Sequence, residues 1–290
     1  MFLIADSGSS KTNWRYIHST GEVLASIKTK GLNPYFLSVK DMAEVISSEV
    51  LPHVQEVSSI HFYGAGCGHI QKAADVAKAL QEVIKASVIQ VEGDILGASR
   101  SIFQDEPGIS CILGAGANSC LYDGHQIVQN VPSLGYLLSD WGSGAVMGKD
   151  MLSLILQKKV SKQVLEDFDH TFQMDLREIL DKIYNKPLAN RFLSSFSPFL
   201  LKHAQQEEAF RDLILDNFRK FFDYYVLSYG RYVRNLKVGF IGSVAFNYNE
   251  YLMLISKEKS IPLRTIIKDP MDGLVYYHHN HSMKNSINKI

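Results

Sequence analysis

The sequence lacks the features that mark several classes of protein. Its 290 residues include three cysteines, Cys67, Cys111 and Cys120, and no CxxC pair. This spacing favours neither a zinc knuckle nor a disulfide framework, so buried free thiols in a reducing cytoplasm are expected. Positive charge is not in surplus either, since 30 Lys and Arg residues are balanced by 30 Asp and Glu residues. A broad nucleic-acid-binding surface is therefore not expected.

Long hydrophobic runs are also missing. The N-terminal segment MFLIADSGSS has a short apolar run from Phe2 to Ala5 and no basic residue before it, which does not fit a signal peptide. No run of about 18 apolar residues occurs, so no membrane span is expected. With 46% hydrophobic and 21% charged residues, the composition is that of a soluble globular protein. We expect a cytoplasmic protein without membrane or nucleic-acid partners.

A pattern of strand, glycine-containing turn and strand occurs twice. It runs first from Phe2 to Ile17 around the turn SGSSKT, and again from Ile109 to Tyr122 around GAGAN. Other apolar segments alternate between strand and helix patterns, which predicts an α/β fold. The sequence therefore predicts two related halves, each beginning with a hairpin turn large enough to face a phosphate.

The remaining periodicity predicts a helix-rich second half. The segments predicted as helices there share three-four apolar spacing or follow a strand: Gly142–Leu156, Ser161–Phe168, Leu176–Tyr184, Glu207–Tyr229, a continuous helix from Ser243 to about Lys257, and Pro270–His278. The polar residues 280–290 are expected to form a tail. Three histidines near this end (His278, His279 and His281) do not have the spacing of helical metal ligands, so no metal is assigned to them.

The first turn carries groups suited to a phosphate and a metal. Gly8 allows the backbone to approach an anion closely, and Lys11 supplies positive charge. Asp6 would hold Mg²⁺ through water, because this ion prefers a few carboxylates and keeps its water ligands. Hydroxyl donors follow at Ser9, Ser10 and Thr12. The alternative is an ordinary hairpin with a polar tip.

Two further turns have a similar character. The amides near Gly114 and Gly116, with Asn118, would hold another part of a polyphosphate. Later, a predicted buried strand ends at Gly242 and Ser243, where a small residue would let adenosine lie against the backbone. The alternatives are a plain hairpin for the former turn and a helix N-cap at Ser243 for the latter.

Taken together, the motifs resemble one family over nearly the whole chain. The segments ADSGSSKTNW, KGLNPY, YGAGC, EGDILGA, ILGAGANSCLYDG, LGYLLSDWGSGAVMGK, GFIGSVAFNY and PMDGLVYYHHN are similar to those of the N-acetylglucosamine kinase and BadF/BadG/BcrA/BcrD ATPase family. The resemblance implies the sugar kinase, Hsp70 and actin fold, with two ribonuclease H-like α/β domains and a nucleotide cleft between them. It also implies ATP and Mg²⁺ as cofactors and an amino sugar, N-acetylglucosamine first, as acceptor.

The resemblance assigns a role to further residues. Asp94 matches the general base that accepts the proton of the sugar hydroxyl. Asp140 and Asn33 match residues that contact the sugar, and Gly64, Ala65 and Gly66 match the turn behind it. The simpler alternatives are helix N-caps at Asp94 and Asp140 and a turn at Asn33 before Pro34.

The chain departs from the family pattern at two turns. Where similar kinases have GTGSN, this chain has Ala115 and Ala117 between Gly114 and Asn118, so two hydroxyl donors are absent. At about 0.5–1.5 kcal/mol per hydrogen bond, this change is expected to weaken nucleotide binding or transfer roughly tenfold to a hundredfold. Trp141 replaces a Glu of the family motif GDEGSG and is expected to fill surface rather than bind a ligand.

The resemblance also implies a division of labour. A sugar-side domain would comprise residues 1–106 and about 273–290, and a nucleotide-side domain residues 107–272; a homodimer is compatible with the family.

Two other functions remain open. One is an ATPase activator with an iron–sulfur cluster, although Cys67 and Cys111 do not have the setting of cluster ligands. The other is a sensor that binds nucleotide or sugar without catalysis.

Overall fold

A computed structural model describes residues 1–8 and 10–287, with side chains as far as Met283. Ser9, one of the predicted phosphate-binding residues, lies outside the described residues. The chain divides into two compact units. The first comprises Met1–Pro107, Asp123–Ile127 and the segment from Asp269 onward, and the second Gly108–Tyr122 and Val128–Lys268.

The strands and helices of the described residues alternate along the chain. The strands are β1 (Phe2–Ser7), β2 (Lys11–Ile17), β3 (Val23–Lys30), β4 (Ser59–Gly64), β5 (Val88–Gly93), β6 (Gly108–Leu113), β7 (Ala117–Tyr122), β8 (Ile127–Val131), β9 (Val238–Ile241) and β10 (Leu263–Ile267). The α-helices are α1 (Val39–Val45), α2 (Ile70–Val83), α3 (Asp94–Phe103), α4 (Gly144–Leu156), α5 (Lys162–Phe172), α6 (Leu176–Tyr184), α7 (Ala189–Ser194), α8 (Ser197–His203), α9 (Glu208–Phe221), α10 (Ser243–Asn247), α11 (Asn249–Glu258) and α12 (Met271–Ile287).

The two units have sheets of the same topology. The first sheet has the order β3-β2-β1-β4-β5, and the second the equivalent order β8-β7-β6-β9-β10. In each, the first hairpin is antiparallel and the next strand joins the central one in parallel. Strand, glycine-containing turn and strand therefore occur twice, as the sequence predicts. A parallel strand after each hairpin requires a crossover, which the helices provide.

Strand register brings the polar ends of the first sheet together. Asp6 on β1 lies opposite Asn13 on β2 and beside Tyr63 on β4. The next residues, Ser7 on β1 and Gly64 on β4, are also paired. Because β1, β4 and β5 run in parallel, the residues that follow them emerge at the same edge of the sheet.

Several predicted boundaries in the second unit were wrong. Strand β8 was missed because, as an edge strand with an exposed middle, it does not show buried alternation. The predicted helix Glu207–Tyr229 ends as α-helix at Phe221 and continues as a π-helical turn and then a 3₁₀ segment that reverses at Gly230, where φ is 58°. The helix predicted from Ser243 to Lys257 is broken at Tyr248 into α10 and α11.

Two short helices in the second unit were also missed. Helices α7 and α8 lie within residues 186–204 and are separated by Ser195 and Phe196. Their segment, KPLANRFLSSFSPFLLKHA, contains two prolines, and each helix is too short to show a clear helical period in its apolar residues. Tertiary packing rather than local pattern stabilises this segment, since Phe196 and Leu200 are fully buried in the core of this unit.

The C-terminal helix is longer than its sequence pattern indicates. The predicted helix ended at His278, whereas α12 continues to Ile287 in place of the expected polar tail. It packs on α3 in the first unit, where Gly273 lies against Ser101 and a Cβ would overlap it. His281 adds an ion-pair contact of 3.0 Å from its Nε2 to Asp105. Among the described residues, no helix is both long enough and apolar enough to cross a bilayer.

Candidate functional site

The first turn joins β1 to β2 and is closed by its own backbone. The Gly8 amide donates to the carbonyl of Lys11 at 3.0 Å, and the side chain of Lys11 is exposed. Beneath the turn, the hydroxyls of Ser7 and Thr12 share a hydrogen bond of 2.8 Å, and Thr12 donates to the carbonyl of Lys30. Thr12 is fully buried, so its hydroxyl supports the turn from inside, whereas Ser10 lies on the surface.

Glycine is not required by the fold at Gly8 or at Gly114. A Cβ on Gly8 would make only an ordinary contact of 3.8 Å, and one on Gly114 would meet nothing within 4 Å. Neither residue has a positive φ. The two hairpin turns therefore present bare backbone at equivalent places in the two sheets. Bare backbone of this kind allows the close approach of an anion.

Three carboxylates gather at the polar edge of the first sheet. Burial raises the pKa of Asp6 to about 7, with further contributions from the negative charges of Asp269 and Asp94 and an opposing one from Lys11. Asp269 was not predicted from the sequence. It lies just before α12, where its Oδ2 accepts a hydrogen bond of 3.0 Å from Asn13 and its Oδ1 accepts one of 2.9 Å from the Met271 amide.

Asp94 is the first residue of α3, and Gly93 rather than Asp94 occupies the N-cap position. Its Oδ1 accepts a hydrogen bond of 2.8 Å from the Ile95 amide. Burial raises the pKa of Asp94, although hydrogen bonds from the Ile95 amide and from its own amide oppose this shift. Asp94 is thus a carboxyl held at a helix N-terminus with a raised proton affinity, which suits a general base.

The predicted sugar turn lies beside Asn33 in the same unit. The Ala65 amide donates to the Ser7 carbonyl at 2.8 Å, which fixes this turn to β1. Gly66 has φ of 87°, and a Cβ there would lie 3.0 Å from Asn33 Oδ1. Asn33 is buried, and its Oδ1 accepts a hydrogen bond of 2.9 Å from the Tyr35 amide. The turn predicted for Asn33 is present, and it places this residue against Gly66.

The second turn is anchored to the start of α4. The Gly114 amide donates to the Gly116 carbonyl at 3.0 Å, and the Gly144 amide donates to the Gly114 carbonyl at 2.8 Å. Asn118 uses its Oδ1 to accept hydrogen bonds from the Ser119 amide and from Asn130 Nδ2. The Gly114 carbonyl is therefore directed at α4. Because the C=O and N–H groups of a trans peptide point in opposite directions, the amide that follows this carbonyl is directed away from α4.

Asp140 lies beside this second turn. Its Oδ1 accepts hydrogen bonds from Ser133 at 2.8 Å and Ser139 at 3.3 Å, and its amide donates to Tyr225 Oη at 3.0 Å. Its Oδ2 faces Gly116, at 3.1 Å from where a Cβ would lie. Asp140 has φ of 58° and does not cap α4, since that position belongs to Ser143, whose hydroxyl accepts from the Val146 amide.

The third turn follows β9. Gly242 has φ of 125°, and a Cβ there would overlap the carbonyl oxygen of Leu113, so the second sheet itself requires glycine. Gly242 is also the N-cap residue of α10, and Ser243 is the first residue inside the helix. The N-cap role considered for Ser243 was therefore wrong.

The residues that depart from the family pattern have defined contacts in this fold. Ala117 is buried at the start of β7, and Ala115 holds α4 through its carbonyl, which accepts from the Ala145 amide at 3.2 Å. Trp141 stacks on Tyr224, with ring centroids 4.6 Å apart. Tyr224 is exposed, whereas the neighbouring Phe221, Phe222 and Tyr225 are buried. Its contact with Trp141 gives this exposed ring a stacking partner.

The first unit offers oxygen ligands that suit a magnesium ion. Asp6 and its neighbouring carboxylates are hard donors. Burial raises the pKa of Asp6, and the negative charges of Asp269 and Asp94, which a divalent cation would compensate, raise it further. No group of three or more His, Cys, Asp or Glu side chains within the described part of the chain has the arrangement of a metal site.

Comparison with known proteins identifies the family. The sequence profile of the BadF/BadG/BcrA/BcrD ATPase family matches residues 5–275. The chain belongs to this family. No sequence among the curated proteins matches it.

Solved structures support the same assignment. A protein from Porphyromonas gingivalis, provisionally assigned as an N-acetylglucosamine kinase, is 39% identical, with a TM-score of 0.92 over 97% of this chain and 99% of that chain. A provisionally assigned N-acetylglucosamine kinase from Chromobacterium violaceum has a TM-score of 0.73 at 13% identity, over 96% and 99% of the two chains. A ROK family glucokinase from Streptomyces griseus, solved with glucose and AMPPNP, has a TM-score of 0.54 at 11% identity, over 95% and 97%. The α/β sugar kinase fold predicted from the sequence is confirmed.

Proposed function

We propose that this protein is an ATP-dependent kinase that phosphorylates an amino sugar, with N-acetylglucosamine as the first candidate. The observation that carries the proposal is the pair of equivalent hairpin turns whose glycines, Gly8 and Gly114, are not required by the fold. One of these turns follows Asp6, in the same unit as Asp94. The 39% identical Porphyromonas gingivalis protein supports the choice of acceptor.

Asp94 acts as the general base in this proposal. It accepts the proton of the acceptor hydroxyl as that oxygen forms a bond to the γ-phosphorus and the bond from the γ-phosphorus to the bridging oxygen of ADP breaks. Such a transfer depends mainly on positioning and charge compensation. The raised pKa of Asp94 increases its proton affinity, which assists a base of this kind.

The nucleotide is held by backbone and a few side chains. Lys11 and the amides around Gly8 and Ser10 contact phosphate oxygens, as do the amides around Gly114 and Gly116 with Asn118. Gly242 and Ser243 lie against adenosine. Asp6 would hold Mg²⁺ through water, and the ion would compensate charge on the transferred phosphoryl group.

The polar edge of the first unit is the proposed contact surface for the acceptor. Asn33 and the turn Gly64–Gly66 are the proposed sugar contacts of that unit. In the second unit, the Oδ2 atom of Asp140 is proposed to accept a hydrogen bond from a sugar hydroxyl. In this proposal most sugar contacts belong to the first unit and the adenosine contacts to the second. Buried polar groups that are already aligned lose little entropy on binding, which favours specific recognition.

A sensor without catalysis is the second candidate, and one observation favours it. Ala115 and Ala117 cannot donate the hydroxyl hydrogen bonds that similar kinases have at this turn. An ATPase activator is less well supported, because Cys67, Cys111 and Cys120 are all buried and burial raises the pKa of Cys67 to about 12. Thiols of this kind do not readily become cluster ligands.

The deciding experiment is a coupled ADP-release assay with Mg-ATP and a panel of amino sugars, alongside Asp94→Asn. Sugar-dependent ADP release with a phosphosugar product, reduced at least about a hundredfold in the variant, supports the kinase. ADP release that does not depend on sugar supports the activator. ATP binding without turnover, measured by equilibrium titration, supports the sensor.

A further inference from the structure

Tyr35 is an exposed aromatic residue that is nevertheless held in place. Its side chain is 60% exposed, and it follows Asn33 and Pro34 at the edge of the first unit where Asp6 and Asp94 also lie. An exposed tyrosine at a loop tip is usually free to rotate. Here the chain fixes the ring from several directions.

The backbone of Tyr35 is set by Asn33. The Tyr35 amide donates to Asn33 Oδ1 at 2.9 Å, and the Phe36 amide donates to the Asn33 carbonyl at 3.0 Å. Asn33 itself is buried against Gly66. The direction of the tyrosine therefore depends on the residue proposed to contact the sugar.

The ring is fixed on one side by Gly66. A Cβ on Gly66 would come within 2.9 Å of Tyr35 Cδ2 and 3.2 Å of Cε2, so the ring edge lies directly on this glycine. Lys72 holds the ring in a second way. Its ammonium lies 5.3 Å from the ring centroid and donates to the Pro34 carbonyl at 3.0 Å. The ring is thus oriented before any ligand arrives, while most of its surface remains in contact with water.

A pyranose suits this arrangement. Its ring has an apolar face of C–H groups and a rim of hydroxyls, so it needs a flat apolar surface beside polar groups. Tyr35 supplies the flat surface, and the turn Gly64–Gly66 supplies backbone polar groups next to it. We propose that the Tyr35 ring is the apolar wall of the acceptor site and stacks on the pyranose, an inference that rests on the proposed kinase function.

The test compares Tyr35→Ala and Tyr35→Phe with Phe36→Ala. Phe36 is the matched control because it is the next residue and 55% exposed. Tyr35→Ala should raise the KM for the sugar about tenfold and leave the KM for ATP unchanged, whereas Tyr35→Phe and Phe36→Ala should stay within about twofold of the parent. A merely structural role would change both KM values and the melting temperature.

A binding titration without nucleotide separates this inference from the proposed function. N-acetylglucosamine should raise the melting temperature of the parent protein, and the concentration for half the effect should rise about tenfold in Tyr35→Ala. An unchanged concentration in that variant overturns the role of Tyr35 while phosphoryl transfer by the parent still supports the kinase. Sugar binding that is weakened in Tyr35→Ala, in a parent that transfers no phosphate, overturns the kinase and supports the role of Tyr35.

Discussion

Asn13 donates a hydrogen bond of 3.0 Å from its Nδ2 to the carboxylate of Asp269, across 256 residues of sequence. Asn13 is the cross-strand partner of Asp6 in the β1–β2 pair. The other oxygen of Asp269 accepts from the Met271 amide, so the same carboxylate fixes the start of α12. This arrangement brings a second negative charge close to Asp6 and contributes to its raised pKa.

Asp6→Asn should make the protein more stable at pH 8 and have little effect near pH 4. The folded-state pKa of Asp6 is about 7 against an ordinary 3.8, so the native state binds a proton that the unfolded state releases. The stability that this group contributes is present below pH 3.8 and is lost as the pH rises from about 4 to 7. The expected gain at pH 8 is up to about 4 kcal/mol, measured by urea unfolding without nucleotide.

The exposed Asp41 is the control for this effect. Hydrogen bonds from Ser38 lower the pKa of Asp41, so Asp41→Asn should lose stability at pH 8, with the opposite sign. Equal changes for Asp6→Asn at pH 4 and pH 8 would contradict the interpretation. Because Asp6 is proposed to hold Mg²⁺, the same variant should bind Mg-ATP more weakly although it is more stable.

Three glycine variants separate the requirements of the fold from those of a ligand. Gly8→Ala and Gly114→Ala should leave the free energy of unfolding within about 0.5 kcal/mol of the parent, because the added Cβ meets open space or an ordinary contact. Both should weaken Mg-ATP binding, since a methyl group on bare backbone keeps phosphate oxygens at a distance. Isothermal titration with Mg-ATP measures the second effect.

Gly242→Ala is the contrasting variant. Its Cβ would overlap the Leu113 carbonyl at a φ of 125°, so the stability should fall by roughly 1–3 kcal/mol or more even without nucleotide. Weak ATP binding in all three variants with loss of stability only in Gly242→Ala supports the proposed phosphate turns. Normal ATP binding in Gly8→Ala and Gly114→Ala would exclude them.

Local pattern predicted some parts of this molecule well and others poorly. The two hairpins were predictable because each strand pair and its turn are contiguous, as with Gly8 and Gly114. Asp269 was missed because its importance depends on contacts with Asn13 and with Asp6, which no local window contains. The continuation of α12 was missed for the same reason, since His281 pairs with Asp105 and the His279 ring lies against Gly21, both far away in the sequence.

Asp94 should impose a limb on the pH profile of the reaction. The base must be ionised to accept a proton, and burial raises its pKa above the ordinary 3.8. The kcat of the parent should therefore decrease as the pH is lowered. This decrease should occur at a higher pH than an ordinary carboxyl group would cause. Asp94→Glu should retain a limb with altered position, whereas the residual activity of Asp94→Asn should not show it. An identical limb in Asp94→Asn would assign it to another group.

The docking of α12 should make the protein sensitive to acid. His278 Nε2 and Tyr63 Oη share a hydrogen bond of 2.8 Å, Arg100 donates to the same Oη, and His61 stacks on His278 with ring centroids 3.8 Å apart. Burial lowers the pKa of His61 to about 4 and that of His278 to about 2. Both rings are therefore neutral in the folded protein over a range in which an unfolded chain binds protons.

His278→Gln should reduce the pH dependence of stability on the acid side. The stability that a buried neutral histidine contributes is present above pH 6.5 and is lost as the pH falls toward its folded pKa, by about 1.4 kcal/mol per pH unit for each group. Glutamine does not titrate, so the variant should be less stable than the parent at pH 7.5 but lose stability less steeply between pH 6.5 and 4. Denaturant titrations at several pH values measure both effects, with the exposed His53→Gln as control. Parallel curves for the parent and His278→Gln would show that the titration of the buried histidine does not govern acid stability.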